Sequence, residues 1–518
     1  MSFTKTQEQL DIIEFAKSGN DLIIQAYAGS SKTFTLKSIA EELPEKKILY
    51  IAFNKSIVEE ATKKMPSNVT VKTIHAVAYG NSDSTLLNRL KSTTKLDIPT
   101  INTLCGVKNI MMFNKLTQEN EKVSSYRVCS WVMKAVVNFM HSDKPTLLPT
   151  HVYLDKDYEH FELTDANRNM IHKSAITLWD AYCNNTKYHI VHDVYLKLFS
   201  LSGIDLKYDV ILVDECQDVS GVMLNFLTSQ KTAQKIYVGD KFQKIYSFTG
   251  SVDITKKLPS SIKKLNLTKT FRFGQEIAKY ANQWIDTLDD KAPDLIAGRI
   301  CPVNVDDLIS TKAILCRTNA GVLEEYLQQL NENPSLDYNI SCDTTAINAF
   351  MLALKDIDMG KGTNHPFLSP FTSITDMQSW VDNNWFIVDR DILKNVNLAK
   401  KFGYNKLLSL LLNYVPHGTP DVVISTVHKA KGLEWDEVKL STDFTFKNDE
   451  ELRLFYVAVT RAIYKLVDYK MYDITNRTLA QMRVDIGDVE PPKIKPTAIP
   501  SKKFTPSTYS NKKSYYKK

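Results

Sequence analysis

An α/β fold with parallel sheets, arranged as two blocks that each carry an insertion, is what this sequence predicts. Three observations lead there. Short apolar runs at 21–26 and 47–53 flank a turn of small residues that ends in Lys-Thr (IQAYAGSSKT, 24–33). About 180 residues later a second apolar run ends in paired acids (ILVDECQD, 211–218). Strand-like runs then recur between helical ones, a pattern that calls for parallel pairing through crossovers.

Taken in order, residues 5–18 read as a helix, followed by the strands at 21–26 and 47–53 and a helix at about 55–65. VTVKTIHAVAYG (69–80) reads as a strand leading into a short helix. From 81 to 200 the pattern turns helical, and SYRVCSWVMKAVVNFM (125–140) and DANRNMIHKSAITLWDAYC (165–183) each carry an apolar face at helix spacing. Strand patterns resume at 208–214, 235–239 and 262–267, which makes 81–195 a helical insertion in a parallel layer. A second block begins near 255, with strands at about 312–316 and 421–427. Between them, 345–415 is a shorter insertion of mixed character containing Trp380 and Trp385.

The loop and the acids describe a nucleotide triphosphate site. A turn of small residues (Ala28, Gly29, Ser30, Ser31) lets backbone N–H groups approach phosphate oxygens. Lys32 can neutralise the β- and γ-phosphates, and the Thr33 hydroxyl can ligate Mg²⁺. Asp214 at a strand end can hold the same Mg²⁺, and Glu215 can orient and deprotonate the attacking water. The loop departs from G-x-x-x-x-G-K-[ST] at both glycines, with Ala26 at the first and Ser31 at the second. A surface turn with an incidental Lys-Thr is the competing reading of the loop alone; the DECQD run argues against it.

At 518 residues the chain exceeds one core and suggests about two to four domains. Its 43% hydrophobic and 24% charged content is that of an ordinary soluble globular protein. No run of apolar residues is long enough to span a membrane, and the polar start, MSFTKTQEQLDII, is unlike a secretory signal. Seven scattered cysteines without C-x-x-C pairs favour reduced thiols and argue against zinc. A cytoplasmic setting is expected, nucleoid-associated or in a host cell if the protein is viral. The net charge of +6 is modest, but eight lysines and no acid fall between Lys493 and Lys518. That tail is expected to be a flexible cationic arm, either touching phosphates or merely solubilising the chain.

Further runs resemble the superfamily 1 DNA helicases of the UvrD/Rep/PcrA type, in the family's order. TQEQLDII (6–13) resembles the adenine-reading glutamine motif, with Gln7 in the reading position. YIAFNKS (50–56) and TIHAVAY (73–79) resemble strand-contacting motifs, and VGDKFQKIYSFTG (238–250) the motif linking nucleotide to DNA. LTKTFRFG (267–274), ISTVHKAKGLEWD (424–436) and LFYVAVTRA (454–462) resemble the signatures of the second motor domain. Within the group the wording of HDVYLKLFSLSG (192–203), FRFG, CRTNA (316–320) and TVHKAKGLEWD is most like the helicase core of the F-box DNA helicases. No F-box precedes the glutamine motif in this sequence, so ubiquitin-ligase function is not expected to carry over.

The resemblance implies two RecA-like P-loop motor domains, 1A (1–80 and 196–255) and 2A (256–344 and 416–485). It also implies insertions 1B (81–195) and 2B (345–415), ahead of a basic tail (486–518). ATP and Mg²⁺ are the implied cofactors. Gln243 is implied to sense the γ-phosphate, with Arg272 and Arg461 reaching it from the second domain. Phe271 is implied to stack on adenine, and Glu434 to contact the sugar. Phe53, Tyr246 and Phe248 are implied as base-stacking platforms, and Thr73, His75, Thr426 and His428 as contacts to the strand. Thr249 stands where related enzymes commonly place an arginine.

The function implied is an ATP-dependent DNA helicase or translocase moving 3′ to 5′ on single-stranded DNA, in repair, recombination or replication. It would act on single-stranded DNA and junctions, as a monomer with possible protein partners. The alternatives are a hydrolysis-impaired single-stranded DNA-binding protein, an RNA-directed motor, or a nuclease-coupled subunit. No nuclease-like cluster of acids follows residue 470.

Overall fold

The computed structural model describes residues 4–468 and Tyr472, apart from 116, 117, 156, 157, 247–249, 302–304, 364, 366, 385–387 and 389. Phe248, Thr249, Trp385 and the basic tail lie outside the described residues. The strands in chain order are β1 (Leu22–Ala26), β2 (Ile48–Ala52), β3 (Val69–Thr73), β4 (Ile110–Asn114), β5 (Glu119–Val123), β6 (Val210–Val213), β7 (Gln234–Gly239) and β8 (Lys263–Leu267). They continue with β9 (Lys269–Thr270), β10 (Ile296–Ala297), β11 (Lys312–Cys316), β12 (Tyr338–Ser341), β13 (Val422–Thr426), β14 (Trp435–Leu440) and β15 (Ala462–Val467).

The first sheet has the order β3-β2-β6-β7-β1-β8 and is parallel throughout. Its central strands are apolar on both faces because both faces are covered. Leu22, Ile24 and Ala26 of β1 enter one core with Tyr50 and Leu212, while Ile23 enters the other with Leu49, Ile211 and Val213. β7 stands between β1 and β6, so the ends of these strands bring three turns side by side. Ligands of open α/β sheets bind at such carboxyl ends.

The second sheet, β12-β13-β11-β14-β15, is also parallel. It shares a core with helix Gln275–Leu288 and helix Asp449–Val459, where Trp284, Phe446 and Phe455 meet. The fold is therefore the α/β arrangement of two parallel sheets that the sequence predicts. One correction concerns the division at 255/256, since β8 pairs with β1 and closes the first sheet beyond that point.

Between β3 and β6 the chain is mainly helical. Helices Ile98–Cys105, Ser125–His141 and Asp165–Asn184 surround Trp131, Phe139, Ile171 and Leu178. The antiparallel pair β4–β5 joins them; the polar run of β5, ENEKV, carries no strand signal of its own. Strands β12, β14 and β15 were likewise not anticipated.

Chain contacts divide the molecule into two compact units. The larger comprises Met1–Arg317, Glu325–Ser341 and the described residues from His417 on, and it holds every strand named above. The smaller includes Thr318–Glu324 and Cys342–Pro416. From 345 onward it is helical among the described residues rather than mixed, with helices Thr345–Asp358, Ile374–Asn384, Arg390–Phe402 and Tyr404–Asn413. Phe371 packs on Trp380 in its interior. No described helix is long and apolar enough to cross a membrane.

Candidate nucleotide site and strand-binding face

The small-residue loop leaves β1 and is sewn to the segment after β8. Tyr27 N–H donates to the Leu267 carbonyl at 3.1 Å, and Phe271 N–H to the Gly29 carbonyl at 2.8 Å. Gly29 has φ +70°, and a Cβ there would sit 2.5 Å from Arg272 Cβ, so only glycine fits. Ser31 has φ 62° and ψ 41°, the left-handed conformation a glycine would supply. The departure seen in the sequence is thus absorbed by the backbone. Helix Lys32–Glu41 starts at the next residue, directing its first-turn N–H groups into the loop. Ser30 Oγ is buried there without a hydrogen-bond partner.

Lys32 Nζ lies 3.5 Å from Glu215 Oε1. Burial works against its charge, but the carboxylates of Glu215, Asp240 and Asp214 outweigh that and hold its pKa above the ordinary lysine value. Asp214 ends the run from β6; it accepts from the Tyr50 phenol and from Glu215 N–H at 2.9 Å. Burial and the neighbouring Glu215 push its carboxyl up. Burial raises Glu215 too, yet Lys32, Lys431 and a hydrogen bond from Gln217 outweigh it and hold its carboxyl below the ordinary glutamate value. The backbone at Glu215 is also left-handed, φ 50°. Gln217 Nε2 donates to Glu215 Oε2 at 2.5 Å, while its Oε1 accepts from Asp240 N–H at 3.0 Å.

Asp240, at the turn after β7, ties this half to the second sheet's block. It accepts from Gln243 Nε2 at 2.9 Å and from the Tyr456 phenol at 3.1 Å. Arg461 Nη2 donates to Gln243 Oε1 and to the Thr460 hydroxyl, each at 3.2 Å, while Nε and Nη1 donate to the Val457 and Leu433 carbonyls. Only 1% of Arg461 is exposed, and burial together with the Arg272 charge pushes it down to about 9. Arg272 donates to Glu434 Oε2 at 2.7 Å and to the Thr460 carbonyl at 3.0 Å. Lys32, Asp214, Glu215, Gln243, Arg272 and Arg461 therefore converge on one seam.

Around this seam Phe271 is exposed, next to the loop carbonyl that its N–H binds. Gln7 faces solvent and donates to Asp11 at 2.7 Å. Its neighbour Gln9 is buried, closing a capping box with Thr6 and donating to Thr35.

Beyond the seam, Phe53 stacks on Tyr246 with ring centroids 5.9 Å apart and planes 13° apart. Tyr246 donates to the His428 carbonyl at 2.8 Å. Thr73 caps helix Ile74–Gly80, and Thr426 is buried at the start of Val427–Ala430. Burial lowers the His428 pKa. His75 is turned toward Asp193, its Nε2 3.4 Å from Oδ1. Lys431, passed over in the sequence, pairs with buried Asp218 at 2.5 Å, donates to the Gln243 carbonyl at 2.8 Å and lies 4.9 Å from the centre of the Tyr246 ring. Gln217, Asp240 and Tyr456 were passed over too; all four lie inside the motif runs, where only the neighbours were singled out.

The Thr33 hydroxyl and the Asp214 carboxyl both meet the Tyr50 phenol and are oxygen donors of the kind magnesium takes. No cluster of three or more His, Cys, Asp or Glu suited to a metal occurs among the described residues. A cation held by one carboxylate and one hydroxyl needs phosphate oxygens to complete its shell, as Mg²⁺ in nucleotide sites does.

Comparison with known proteins agrees with this architecture. The UvrD-like helicase C-terminal domain family matches residues 421–467, and the AAA domain family matches residues 9–249. F-box DNA helicase protein 1 of Schizosaccharomyces pombe is 31% identical over 89% of this chain and 57% of its own length. F-box DNA helicase 1 of Gallus gallus is 27% identical over 88% of this chain and 48% of its own length. The chain spans about half the length of the curated relatives it matches. With two parallel sheets meeting at a phosphate loop and these matches at both ends, the chain belongs to the superfamily 1 helicases of the UvrD-like type.

Proposed function

We propose that the chain is an ATP-dependent DNA helicase that moves 3′ to 5′ on single-stranded DNA and opens duplex at junctions, in repair, recombination or replication. The observation that carries this reading is one bonded path across the seam. It runs from Lys32 to Glu215, through Gln217 and Asp240 to Gln243, and ends on Arg461 of the other block. A path of that kind makes the separation of the blocks depend on what sits between them.

In this reading Ala28, Gly29, Ser30 and Ser31 cradle the phosphates, and Lys32 neutralises them. Glu215, kept ionised, takes the proton of the attacking water. Gln243, Arg272 and Arg461 meet the γ-phosphate, where arginines that complete such a site are worth roughly 10³–10⁵ in turnover. Thr33 and Asp214 would hold Mg²⁺, which supplies charge neutralisation at the phosphates. Phe271 and Gln7 would receive adenine, and Glu434 the sugar. Lys431 links the Gln243 carbonyl to the Tyr246 ring, so a change at the γ-phosphate end reaches the base-stacking pair. The left-handed Ser31 supports hydrolysis over a hydrolysis-impaired binder, since the loop keeps the shape phosphate requires.

Strand displacement on substrates with 3′ or 5′ overhangs tests the polarity: a 3′ overhang is expected to be required, and preference for a 5′ overhang overturns it. ATP turnover measured with single-stranded DNA and with RNA separates a DNA motor from an RNA motor. Lys32→Ala is expected to abolish turnover while strand binding persists.

A further inference from the structure

The run HDVYLKLFSLSG, which plays no part in the nucleotide chemistry, forms helix His192–Leu201 against helix Ile74–Gly80. Asp193 in its first turn lies between two histidines. His75 Nε2 is 3.4 Å from Asp193 Oδ1, and His141 Nε2, at the end of helix Ser125–His141, is 3.4 Å from Oδ2. Tyr195 from the same turn meets the His75 ring edge-on at 6.3 Å and 89°, and meets Tyr79 likewise at 5.9 Å. His192 Nδ1 pairs with the Tyr195 hydroxyl at 3.0 Å, fixing that ring in turn. The His75 ring is thus held by a carboxylate at Nε2 and by an aromatic edge, leaving Nδ1 as the nitrogen without an assigned role.

We propose that Asp193 is a positioning residue for strand binding: it orients His75, through Nε2, so that the opposite edge of the ring presents to a phosphate of single-stranded DNA. The inference rests on the reading of His75 as a strand contact. An aspartate in the first turn of a helix also has a structural use, favouring the helix dipole. That use predicts nothing about His75. The two His–Asp contacts hold the carboxyl below the ordinary aspartate value against the opposing effect of burial, so Asp193 is a charged acceptor. A ring whose Nε2 donates to a charged acceptor is fixed in plane, as imidazoles backed by carboxylates are, and in its doubly protonated form, which carries an N–H on both edges, Nδ1 donates to the phosphate.

The test is fluorescence anisotropy of the full chain with a labelled oligo(dT) across a series of salt concentrations. His75→Ala is expected to weaken binding roughly threefold or more at moderate salt and to flatten the log K–log salt slope by about 0.7, as for one lost phosphate contact. Asp193→Asn, which keeps volume and fold, is expected to move both quantities the same way. The double variant is expected to be no weaker than His75→Ala alone. His141→Ala, which leaves the His75–Asp193 contact in place, is expected to stay near wild type. If His75→Ala binds like wild type, the strand-contact reading of His75 fails and takes this inference with it. If His75→Ala is weak but Asp193→Asn matches wild type, or if losses at the two positions add, only the positioning role is overturned. A loss in His141→Ala equal to that in Asp193→Asn also overturns it, making the aspartate a staple for the helix end.

Discussion

Arg461 Nη2 reaches Gln243 Oε1 at 3.2 Å, a bond between two blocks of the fold made 218 residues apart in sequence. Three further N–H groups of that guanidinium donate to two carbonyls and a hydroxyl of its own block. Arg461→Lys keeps a charge but loses the planar fork, and Arg461→Ala strands the buried Gln243 oxygen. DNA-stimulated ATP turnover is expected to fall by about 10³ or more in both variants. Thermal unfolding should show the alanine variant destabilised by about 2 kcal/mol, the scale for leaving buried oxygens without their donors. Turnover close to wild type in the lysine variant would remove Arg461 from the reaction.

Ser31 holds a left-handed backbone that costs a non-glycine residue about 1 kcal/mol or slightly more. Ser31→Gly relieves it, partly offset by the greater freedom of glycine in the unfolded chain. A net gain of about 0.5 kcal/mol is expected in denaturant unfolding, read from the midpoint at constant slope. A loss of stability would mean that the hydroxyl contributes more than the backbone costs.

How much of this was legible beforehand depended on burial. Strands β1, β2, β6 and β7 are apolar on both faces, so their runs stood out before any pairing was known. β5 is largely exposed and β12 half-covered, and neither carries a comparable signal, while β14 is buried but its run, WDEVKL, hides the pattern behind two acids and a lysine. Lys32 and Glu215 were readable because phosphate chemistry calls for those residue types beside a small-residue loop, whereas Gln243 and Arg461 were readable by resemblance. Gln217 and Asp240 were not, because their value lies in bonds to each other's turns, which arise only when β7 is threaded between β1 and β6. Gln7 was readable only by resemblance, and its pairing with Asp11 on the solvent side gives no independent support.

Phe53 and Tyr246 form the stacked pair nearest the Lys431 link, and Phe53 is 42% exposed. Replacing Phe53 by alanine should cost about 1–3 kcal/mol of single-strand affinity, nearly independent of base composition. Anisotropy with oligo(dT) and oligo(dA) measures both quantities. A loss confined to one base would point to hydrogen-bond readout instead of stacking.

Lys197 is buried in helix His192–Leu201, where Nζ donates to the carbonyls of Ser142 at 2.8 Å and Lys144 at 2.7 Å and faces the Phe139 ring. Burial lowers its pKa to about 8, against the ordinary 10.5. Between those values the unfolded chain binds more protons than the folded one, so stability rises with pH through that window. Below pH 8 both states are protonated and the cost of the buried charge is present in full. Chemical denaturation from pH 7.5 to 10.5 should show a rise on the order of 2 kcal/mol from this group. Lys197→Met should flatten it; an unchanged slope would assign the rise to other groups.

Where a serine can fill the conformational slot of a glycine, the identity of the residue ceases to mark the loop. Ser31 does so beside Gly29, which cannot be exchanged because Arg272 and Thr270 leave no room. Homologue searches that demand glycine before the lysine will therefore skip chains built like this one. A filter written in torsion angles, tolerant of small polar side chains at that step, would recover them.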